Sequence, residues 1–508
     1  MRRRTFLAGG AGAVSTLSVA CSSADTATAP SSDLPGQIAD LRNQFLERYD
    51  QEYVDNAIVP HFMNRVLEGQ RPVLPMIDVA LTKENALPFD LWGLLSKTWK
   101  PDPEQGVTVF LQGLEKRGPD NLRKRIYMSA VTPDLYAGMY RDKIVRYWDD
   151  LFSPANADKP LMSIYLDTFW DLYWDLHLGV RGADIPQQVR EIGASFNTVL
   201  AYRDPTEQIV YDNYMTVRRH LDFLKSWIDD RLADISSGKT PEPQKTFGWY
   251  WIKNGEGSEH FNHKDVVFEC FHNFVAFSQW GNSLYNVMTR LSTDQQVKDS
   301  YTATMSGPFD RPDGTAFPPL ERFVMELFRT ISPNGGSISA LAETSEPVIE
   351  RHSFIINPHT STSHDPVQWT NPDDFDPARY RDAPTSAQID EARIRQMGLA
   401  NCPFDPAKTF EVKDGRKASL HNSAFGTVFG VADDRPSPVC DYAGFAPFGF
   451  GYRRCPGEQL TVMAFEDLIR KAWTDKLTFV ETGGADPKQV PIGPTTVIGD
   501  DMGFRRLS

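Results

Sequence analysis

The residues with the clearest chemical meaning form a short glycine-rich segment near the carboxyl end, PFGFGYRRCPGEQL. Phe448, Gly451, Arg453, Cys455 and Gly457 satisfy the pattern F-x-x-G-x-R-x-C-x-G. Average composition would produce such a pattern by chance in on the order of one chain in ten thousand of this length. A cysteine in a tight loop can present its thiolate to one face of a flat macrocycle, while backbone N–H groups tune its donor strength. The segment therefore predicts a thiolate ligand for haem iron.

The residues around Cys455 suit that role. Gly451 permits a turn that a residue with a Cβ would strain, and Gly457 would let the following helix approach the porphyrin closely. Arg453 can pair with a haem propionate, and Phe448 can cover the sulfur with apolar surface. The alternative interpretation is that Cys455 is a buried structural thiol in a glycine-rich turn.

This loop resembles the cysteine-ligand loop of the cytochrome P-450 family. The resemblance implies a mainly α-helical fold with small β-sheets, in which haem b lies between a distal helix and the cysteine loop. Cys455 would be the proximal ligand of the iron. The expected substrate is a hydrophobic small molecule, because a haem pocket of this kind is apolar and selects by shape.

Other segments resemble the same family in the same order along the chain. Glu326 and Arg329 match its Glu-x-x-Arg helix, where one turn of spacing places both side chains on one face. The stretch HDPVQWTNPDDFDPARY, residues 364–380, resembles the segment that follows. In the family, the arginine of that segment, here Arg379, completes a buried Glu-Arg-Arg cluster that locks the core around the haem loop.

Upstream, NLRKRIYMSAVTP (residues 121–133) resembles the helix that offers a cation to a haem propionate. Arg125 is the candidate, with Lys124 or Arg123 as alternatives if the register differs slightly.

A helical pattern over residues 263–291 stands where the family runs a helix across the distal haem face. Typical monooxygenases of the family carry an acid followed by Thr there, which relays protons. Here the stretch HNFVAFSQWGNSLYN has neither Asp nor Glu next to a Thr. Ser278, Gln279 and Asn282 are the candidate catalytic residues, because Ser278-Gln279 or Asn282-Ser283 could relay protons through water, although an amide is not a normal acid.

The resemblance leaves several functions open. The favoured one is a monooxygenase that takes electrons from an unknown donor and inserts one oxygen atom of dioxygen into a hydrophobic organic substrate. In the alternative, a peroxide or lipid hydroperoxide supplies the oxygen, and the enzyme is a peroxygenase, isomerase or dehydratase. Residues 277–282 faintly resemble the distal helix of the plant hydroperoxide-rearranging branch, whose cysteine loop carries an insertion that is absent here. A non-catalytic exported haem carrier or sensor is the further alternative.

The elements that must position these residues are mostly helices. Apolar residues recur at helical spacing in residues 208–232. In residues 263–291 a mostly apolar set of side chains falls on one side of the predicted helix: Val267, Phe271, Phe274, Ser278, Gly281, Tyr285 and Met288. A predicted helix ends in MELFRTISP, where Pro333 stops it. Short strands are predicted near residues 347–356, and a last helix is predicted for residues 458–473.

Residues 381–440, rich in Asp, Pro, Gly and Ser, are predicted to form an extended insertion. The insertion holds Cys402 and Cys440, which could form a disulfide in an oxidising compartment. Sequence alone does not fix that pairing.

Composition excludes several classes of protein. The 508 residues are 41% hydrophobic and 24% charged, as in a soluble globular protein, and residues 41–508 are interpreted as a single domain. The net charge of −14 argues against nucleic acid as a partner. The 5 cysteines show no CxxC zinc spacing, so a metal must enter through isolated ligands or a prosthetic group.

The N-terminus is interpreted as an export signal. Residues 1–20 begin with Arg2-Arg3-Arg4, a twin-arginine opening, and continue with an apolar run too short and too rich in Gly and Ser to span a membrane. Residues 21–40 are interpreted as a polar linker, and Cys21 is a candidate lipidation site. The protein is therefore expected in the periplasm or another extracytoplasmic space, either released or anchored by a lipid.

Replacement of Arg3 and Arg4 by Lys should leave folded, haem-loaded protein in the cytoplasm, because the twin-arginine route recognises the arginine pair. Fractionation of cells carrying the wild type and the double variant measures this. Unchanged export of the variant would contradict the interpretation.

Overall fold

The computed structural model describes the chain from residue 34 to residue 507 with gaps. The described residues are 34–59, 62, 122–202, 204–259, 261–311, 313, 315, 317–331, 333, 337–340, 344–345, 348–349, 354–357, 363–364, 366, 369–381, 409–411, 413, 415, 417–419, 429–432, 435–438, 447–448 and 455–507. The predicted signal peptide, Cys21, Cys402, Cys440, Gly451 and Arg453 lie outside them.

Helices dominate the described chain, as predicted. In order they are α1 (Leu34–Leu46), α2 (Gln51–Tyr53), α3 (Leu122–Met128), α4 (Pro133–Leu135), α5 (Arg141–Leu151), α6 (Met162–Leu178), α7 (Gln187–Ala201), α8 (Gln208–Ser236), α9 (Phe247–Gly255), α10 (His263–Thr293), α11 (Gln295–Met305), α12 (Pro319–Ile331) and α13 (Glu458–Thr474). Single π-helical turns, Val54–Ile58 and Tyr136–Tyr140, continue α2 and α4, and short 3₁₀ turns lie at Pro154–Asn156, Gly182–Asp184, Pro243–Lys245 and Pro377–Tyr380.

The described strands are short and pair antiparallel. They are β1 (Ser337–Ala340), β2 (Thr344–Ser345), β3 (Val348–Ile349), β4 (Phe354–Asn357), β5 (Thr409–Glu411), β6 (Lys417–Ser419), β7 (Phe429–Ala432), β8 (Arg435–Pro438), β9 (Leu477–Glu481), β10 (Gln489–Gly493), β11 (Thr496–Gly499) and β12 (Met502–Arg506). The pairs are β1–β4, β2–β3, β5–β6, β7–β8, β10–β11 and β9–β12. Two hairpins therefore lie within residues 381–440, the predicted insertion.

The first helix begins earlier than the sequence analysis expected. Residues 34–40, assigned to the linker, form the first half of α1. Ile38, Leu41 and Phe45 repeat at helical spacing and pack against a buried cluster that includes Tyr53 and Tyr214. This burial explains why helix α1 begins before the polar composition ends.

Helix α10 spans the predicted range and extends it to Thr293. It begins with a capping box, in which the Asn262 side chain accepts from the Asp265 N–H and the Asp265 carboxylate accepts from the Asn262 N–H. The predicted apolar side faces the core, where Gly281 lies against β10 and α6. No helix in the described ranges is both long and apolar enough to cross a membrane.

Aromatic side chains hold the central helices together. Trp148 of α5 stacks on Trp280 of α10, with ring centroids 6.3 Å apart, and both rings lie 6.1 Å from Phe465 of α13. The indole N–H of Trp148 donates to the Ala464 carbonyl at 3.1 Å. Buried aromatic contacts with a satisfied N–H stabilise helix packing strongly, so α10 and α13 have fixed relative positions.

Gly281→Ala should lower the free energy of unfolding by about 1–3 kcal/mol, because α10 would have to move away from β10. A Cβ at this position would meet the Ile492 carbonyl oxygen at 2.7 Å and Tyr165 Cε1 at 2.8 Å. Urea denaturation measures the change. Gly484→Ala is the matched control, since a Cβ there meets nothing within 4 Å. Equal stabilities of the two variants would contradict the close approach.

Candidate functional site

Cys455 stands just before α13, and its backbone is joined to Phe448 by a hydrogen bond. Its N–H donates to the Phe448 carbonyl at 2.8 Å. The Phe448 ring packs on Phe328 of α12, with centroids 5.1 Å apart, so the start of the loop is fixed to the core. Phe328 in turn contacts Phe465 of α13 at 5.5 Å. The cysteine is thus held between two helices by apolar contacts and one backbone hydrogen bond.

The space beside the sulfur is open on one side. Gly457 is the N-terminal cap of α13, and among the described residues a Cβ built on it would meet only the Cys455 Sγ atom within 4 Å, at 3.8 Å. Cys455 is partly exposed, whereas Cys270 is fully buried, and burial followed by the Glu269 charge raises the pKa of the Cys270 thiol. A thiolate ligand needs access and an open approach, and of these two cysteines only Cys455 has both. Among the described residues, no cluster of His, Cys, Asp and Glu could hold a metal ion by itself.

The Glu-Arg-Arg cluster that the resemblance implied is present. Arg329 binds both carboxylate oxygens of Glu326, at 2.8 Å through Nε and 2.7 Å through Nη2. The same carboxylate accepts three more hydrogen bonds, from Arg379 Nε at 3.2 Å, from the Tyr380 hydroxyl at 3.0 Å and from the Asp376 N–H at 2.9 Å. Glu326 and Arg329 are both 0% exposed.

Arg329 also ties the segment after β4 to α12. It donates to the carbonyl oxygens of Ser363, Pro372 and Asp374 at 2.8, 2.8 and 3.0 Å. Loss of one partner from a buried ion pair typically costs about 3–5 kcal/mol, because the remaining charge stays buried without compensation. Since Phe328 is adjacent to Arg329 and contacts Phe448, the cluster also fixes the helix that supports the cysteine loop.

One face of α10 borders open space. Ala276 is exposed, although Val275 and Phe277 beside it are buried. Asn273 and Trp280, one turn before and after Ala276, share its face. Trp280 Nε1 donates to Thr461 Oγ1 of α13 at 3.0 Å. Ala276 is therefore an accessible position between two buried turns of this face.

The predicted catalytic residues lie elsewhere on α10. Ser278 Oγ donates to the Val275 carbonyl at 2.8 Å, and Asn282 Nδ2 donates to the Pro333 carbonyl at 2.6 Å. Ser278 is two residues from Ala276, about 200° round the helix, on the side that packs on β10. Gln279 is partly buried, and its Oε1 is buried without a hydrogen-bond partner. The structure therefore does not bring these side chains together on the Ala276 face.

A buried polar chain crosses the same region. The Tyr127 hydroxyl of α3 donates to Asn273 Oδ1 at 2.9 Å, and Asn273 Nδ2 lies 3.1 Å from His177 Nε2 of α6. Burial, followed by the negative charges of Glu269 and Cys455, raises the pKa of Tyr127 well above its ordinary value.

The basic residues of α3 are separated by their helical positions. Arg123 is buried and donates to Asp265 of α10 at 3.0 Å. Lys124 is buried, and Arg125 is partly buried about 200° round the helix from Arg123. The side of α3 that carries Arg123 and Tyr127 therefore faces α10, and Arg125 points to a different side.

Sequence reasoning missed Asn273 and His177. The signal was present in the periodicity, because the apolar stripe that includes Ser278 marks the core side of α10. Ala276 itself belongs to residues 276–282, which were expected from the sequence to line the oxygen or peroxide side of the helix. His177 could not be found in this way, since it enters from α6, 96 residues away from Asn273.

Comparison with known proteins rests on structure, because no protein-family model and no curated protein matches the sequence. A cyanobacterial CYP120A1 with retinoic acid bound is 13% identical, with a TM-score of 0.54 over 84% of this chain and 86% of that one. A zebrafish cytochrome P450 with abiraterone is 13% identical, with a TM-score of 0.55 over 88% of this chain and 100% of that one. A mutant of cytochrome P450SP alpha (CYP152B1) is 12% identical, with a TM-score of 0.51 over 86% of each chain. The chain has the fold of the cytochromes P450.

Proposed function

We propose that the protein is a haem-thiolate oxidoreductase that inserts one oxygen atom into a hydrophobic organic molecule. The observation that carries the proposal is the setting of Cys455, a partly exposed cysteine whose neighbour Gly457 leaves space beside the sulfur. The pattern F-x-x-G-x-R-x-C-x-G and the P450 fold support the same assignment.

The residues present fit a haem. Cys455 would ligate the iron, and the exposed Ala276 face of α10 would line the opposite side, where the absence of a larger side chain leaves room for oxidant and substrate. Arg125 and Arg453 are the candidate cations for the propionates, and Phe448 fixes the loop through Phe328. When bound, haem would supply redox-active iron for the activation of dioxygen or of a peroxide.

The substrate class follows from the surroundings of α10. Phe274 and Phe277 are buried with Trp170 and Tyr173 in an aromatic core. A pocket formed beside such an apolar core favours apolar molecules of matching shape. Two of the similar structures hold retinoic acid and abiraterone, both largely apolar ligands. A monooxygenase needs electrons to activate dioxygen. If the protein is exported, its electron donor would therefore have to lie outside the cytoplasm.

The second candidate is a peroxide-using enzyme of the same fold. In α10 no Asp or Glu precedes a Thr, and the Ser278 and Asn282 side chains bond to backbone carbonyls. The helix thus lacks the acid–threonine pair that delivers protons to dioxygen in typical monooxygenases. A peroxide already contains the O–O bond and needs no external electrons, which also suits an exported protein.

Cys455→Ala should abolish the thiolate-type Soret band of the ferrous carbonyl complex, because the sulfur ligand is removed. Absorption spectra of the haem-loaded proteins measure this. Cys270→Ala is the matched control and should retain the band, since Cys270 is buried and its carbonyl, rather than its thiol, accepts from the Tyr173 hydroxyl. A thiolate-type band in Cys455→Ala would remove the assignment.

Turnover of a fatty-acid hydroperoxide without any reductant separates the two candidates. Rapid conversion to a defined rearranged or hydroxylated product, followed by mass spectrometry, is the expected result for a peroxide-using enzyme. Activity that depends on a surrogate electron donor and dioxygen is the expected result for a monooxygenase. Haem binding without either activity would contradict both and leave a haem carrier.

A further inference from the structure

Asn273 is the buried amide on the face of α10 that carries Ala276, and both ends of its side chain are engaged. Oδ1 lies 2.9 Å from the Tyr127 hydroxyl and Nδ2 lies 3.1 Å from His177 Nε2. All three side chains are buried. Helices α3, α6 and α10 are therefore joined at one point by a chain of polar groups.

The direction of each hydrogen bond in this chain is determined. His177 Nδ1 lies 2.7 Å from the Tyr173 carbonyl, which can only accept, so Nδ1 carries the hydrogen. His177 Nε2 must then accept in the neutral ring, and Asn273 Nδ2 must donate to it. Consequently Asn273 Oδ1 faces Tyr127 and accepts from its hydroxyl.

Protonation does not reverse this order. Burial lowers the pKa of His177 to about 3, so the ring is neutral near pH 7. The ring stacks on Tyr173 at 4.0 Å, and the Tyr173 hydroxyl donates to the Cys270 carbonyl at 2.5 Å. The raised pKa of Tyr127 keeps its hydroxyl protonated. The amide of Asn273 therefore has a single orientation.

One of the two hydrogens on the amide nitrogen of Asn273 has not yet been assigned an acceptor. Nδ2 carries two hydrogens, and His177 accepts one of them. Asn273 lies three residues before the exposed Ala276 on the same helical face. The second hydrogen of Nδ2 therefore remains for a further acceptor, on an amide that its two partners keep from rotating.

We propose that Asn273 is the hydrogen-bond donor that α10 presents to an oxygen atom of the oxidant, either dioxygen or a peroxide, with His177 and Tyr127 as its positioning residues. This inference rests on the proposed function, since it assumes that haem lies under the Ala276 face. No proton is transferred, because an amide does not ionise in this range. The N–H instead stabilises the negative charge that develops on the oxygen, as preorganised donors do in other active sites.

The C–O stretching frequency of the ferrous carbonyl complex reports such a donor directly. A donor near the carbonyl oxygen favours electron transfer from iron into the C–O antibonding orbitals and lowers the frequency. Asn273→Asp has nearly the same shape and can still accept from Tyr127, but it loses both N–H groups of Nδ2, the one that donates to His177 as well as the second one. Its infrared band should shift to higher wavenumber than that of the wild type.

The matched control is Asn286→Asp, on the same helix but more than three turns further along, where the amide donates to Asn282. Its C–O band should coincide with that of the wild type. Thermal unfolding of both variants establishes that each is folded. A band at the same frequency in Asn273→Asp and wild type would overturn the inference, while the thiolate-type Soret band would still support haem ligation by Cys455.

His177→Phe tests the positioning role without changing Asn273. The apolar ring keeps the stacking position on Tyr173 but offers no acceptor to Nδ2. The amide should then adopt more than one orientation, and the single C–O band should broaden or split. Tyr127→Phe, which removes the hydroxyl alone, is the second variant if His177→Phe does not fold. An unchanged single band in the variant that folds would overturn the positioning role, and absence of haem from the wild type would instead overturn the proposed function.

Discussion

The hydrogen bonds and ion pairs of the buried Glu326 carboxylate hold in place the helix and the segment that support the site. Its oxygens accept hydrogen bonds from Arg329, Arg379, Tyr380 and the Asp376 backbone. A carboxylate removed from water is tolerated only when its acceptor capacity is filled in this way. Because the donors come from α12 and from a segment some 50 residues later, satisfying one charge brings distant parts of the chain together. The cysteine loop rests on the same helix through Phe328.

Helix α10 has different tasks on its two sides. One side packs on β10 and α6, with Gly281 allowing backbone atoms to approach closely. The adjoining side combines an exposed Ala276 with buried Asn273 and Trp280. Asn273 bonds to His177, also on α6, and Trp280 bonds to Thr461 of α13. A small residue between two anchored turns leaves room beside the helix while its position stays fixed. This combination of rigidity and space is what an apolar ligand pocket requires.

Much of the fold was predictable because its signals are local. The ranges of α10 and α13 and the end of α12 were predicted from the sequence, the first from apolar periodicity and the last from the Pro333 stop. Residues 34–40 were assigned to the linker because their composition is polar. They nevertheless form the first half of α1, because Ile38 packs with the next apolar residues of the helix against a cluster formed by other parts of the chain. The hairpins within residues 381–440 were not predicted, since short strands in a polar segment have weak periodicity.

The sequence by itself determined the candidate thiolate, Cys455, because the pattern around it lies within ten residues. It also determined that Glu326 and Arg329 share a helical face, because helical spacing is fixed by backbone geometry. Only the tertiary structure decided which side of α10 meets open space, and it separates Ser278 from Ala276. Only the fold could bring His177 to Asn273, because side chains from different helices meet according to packing, which no local pattern encodes.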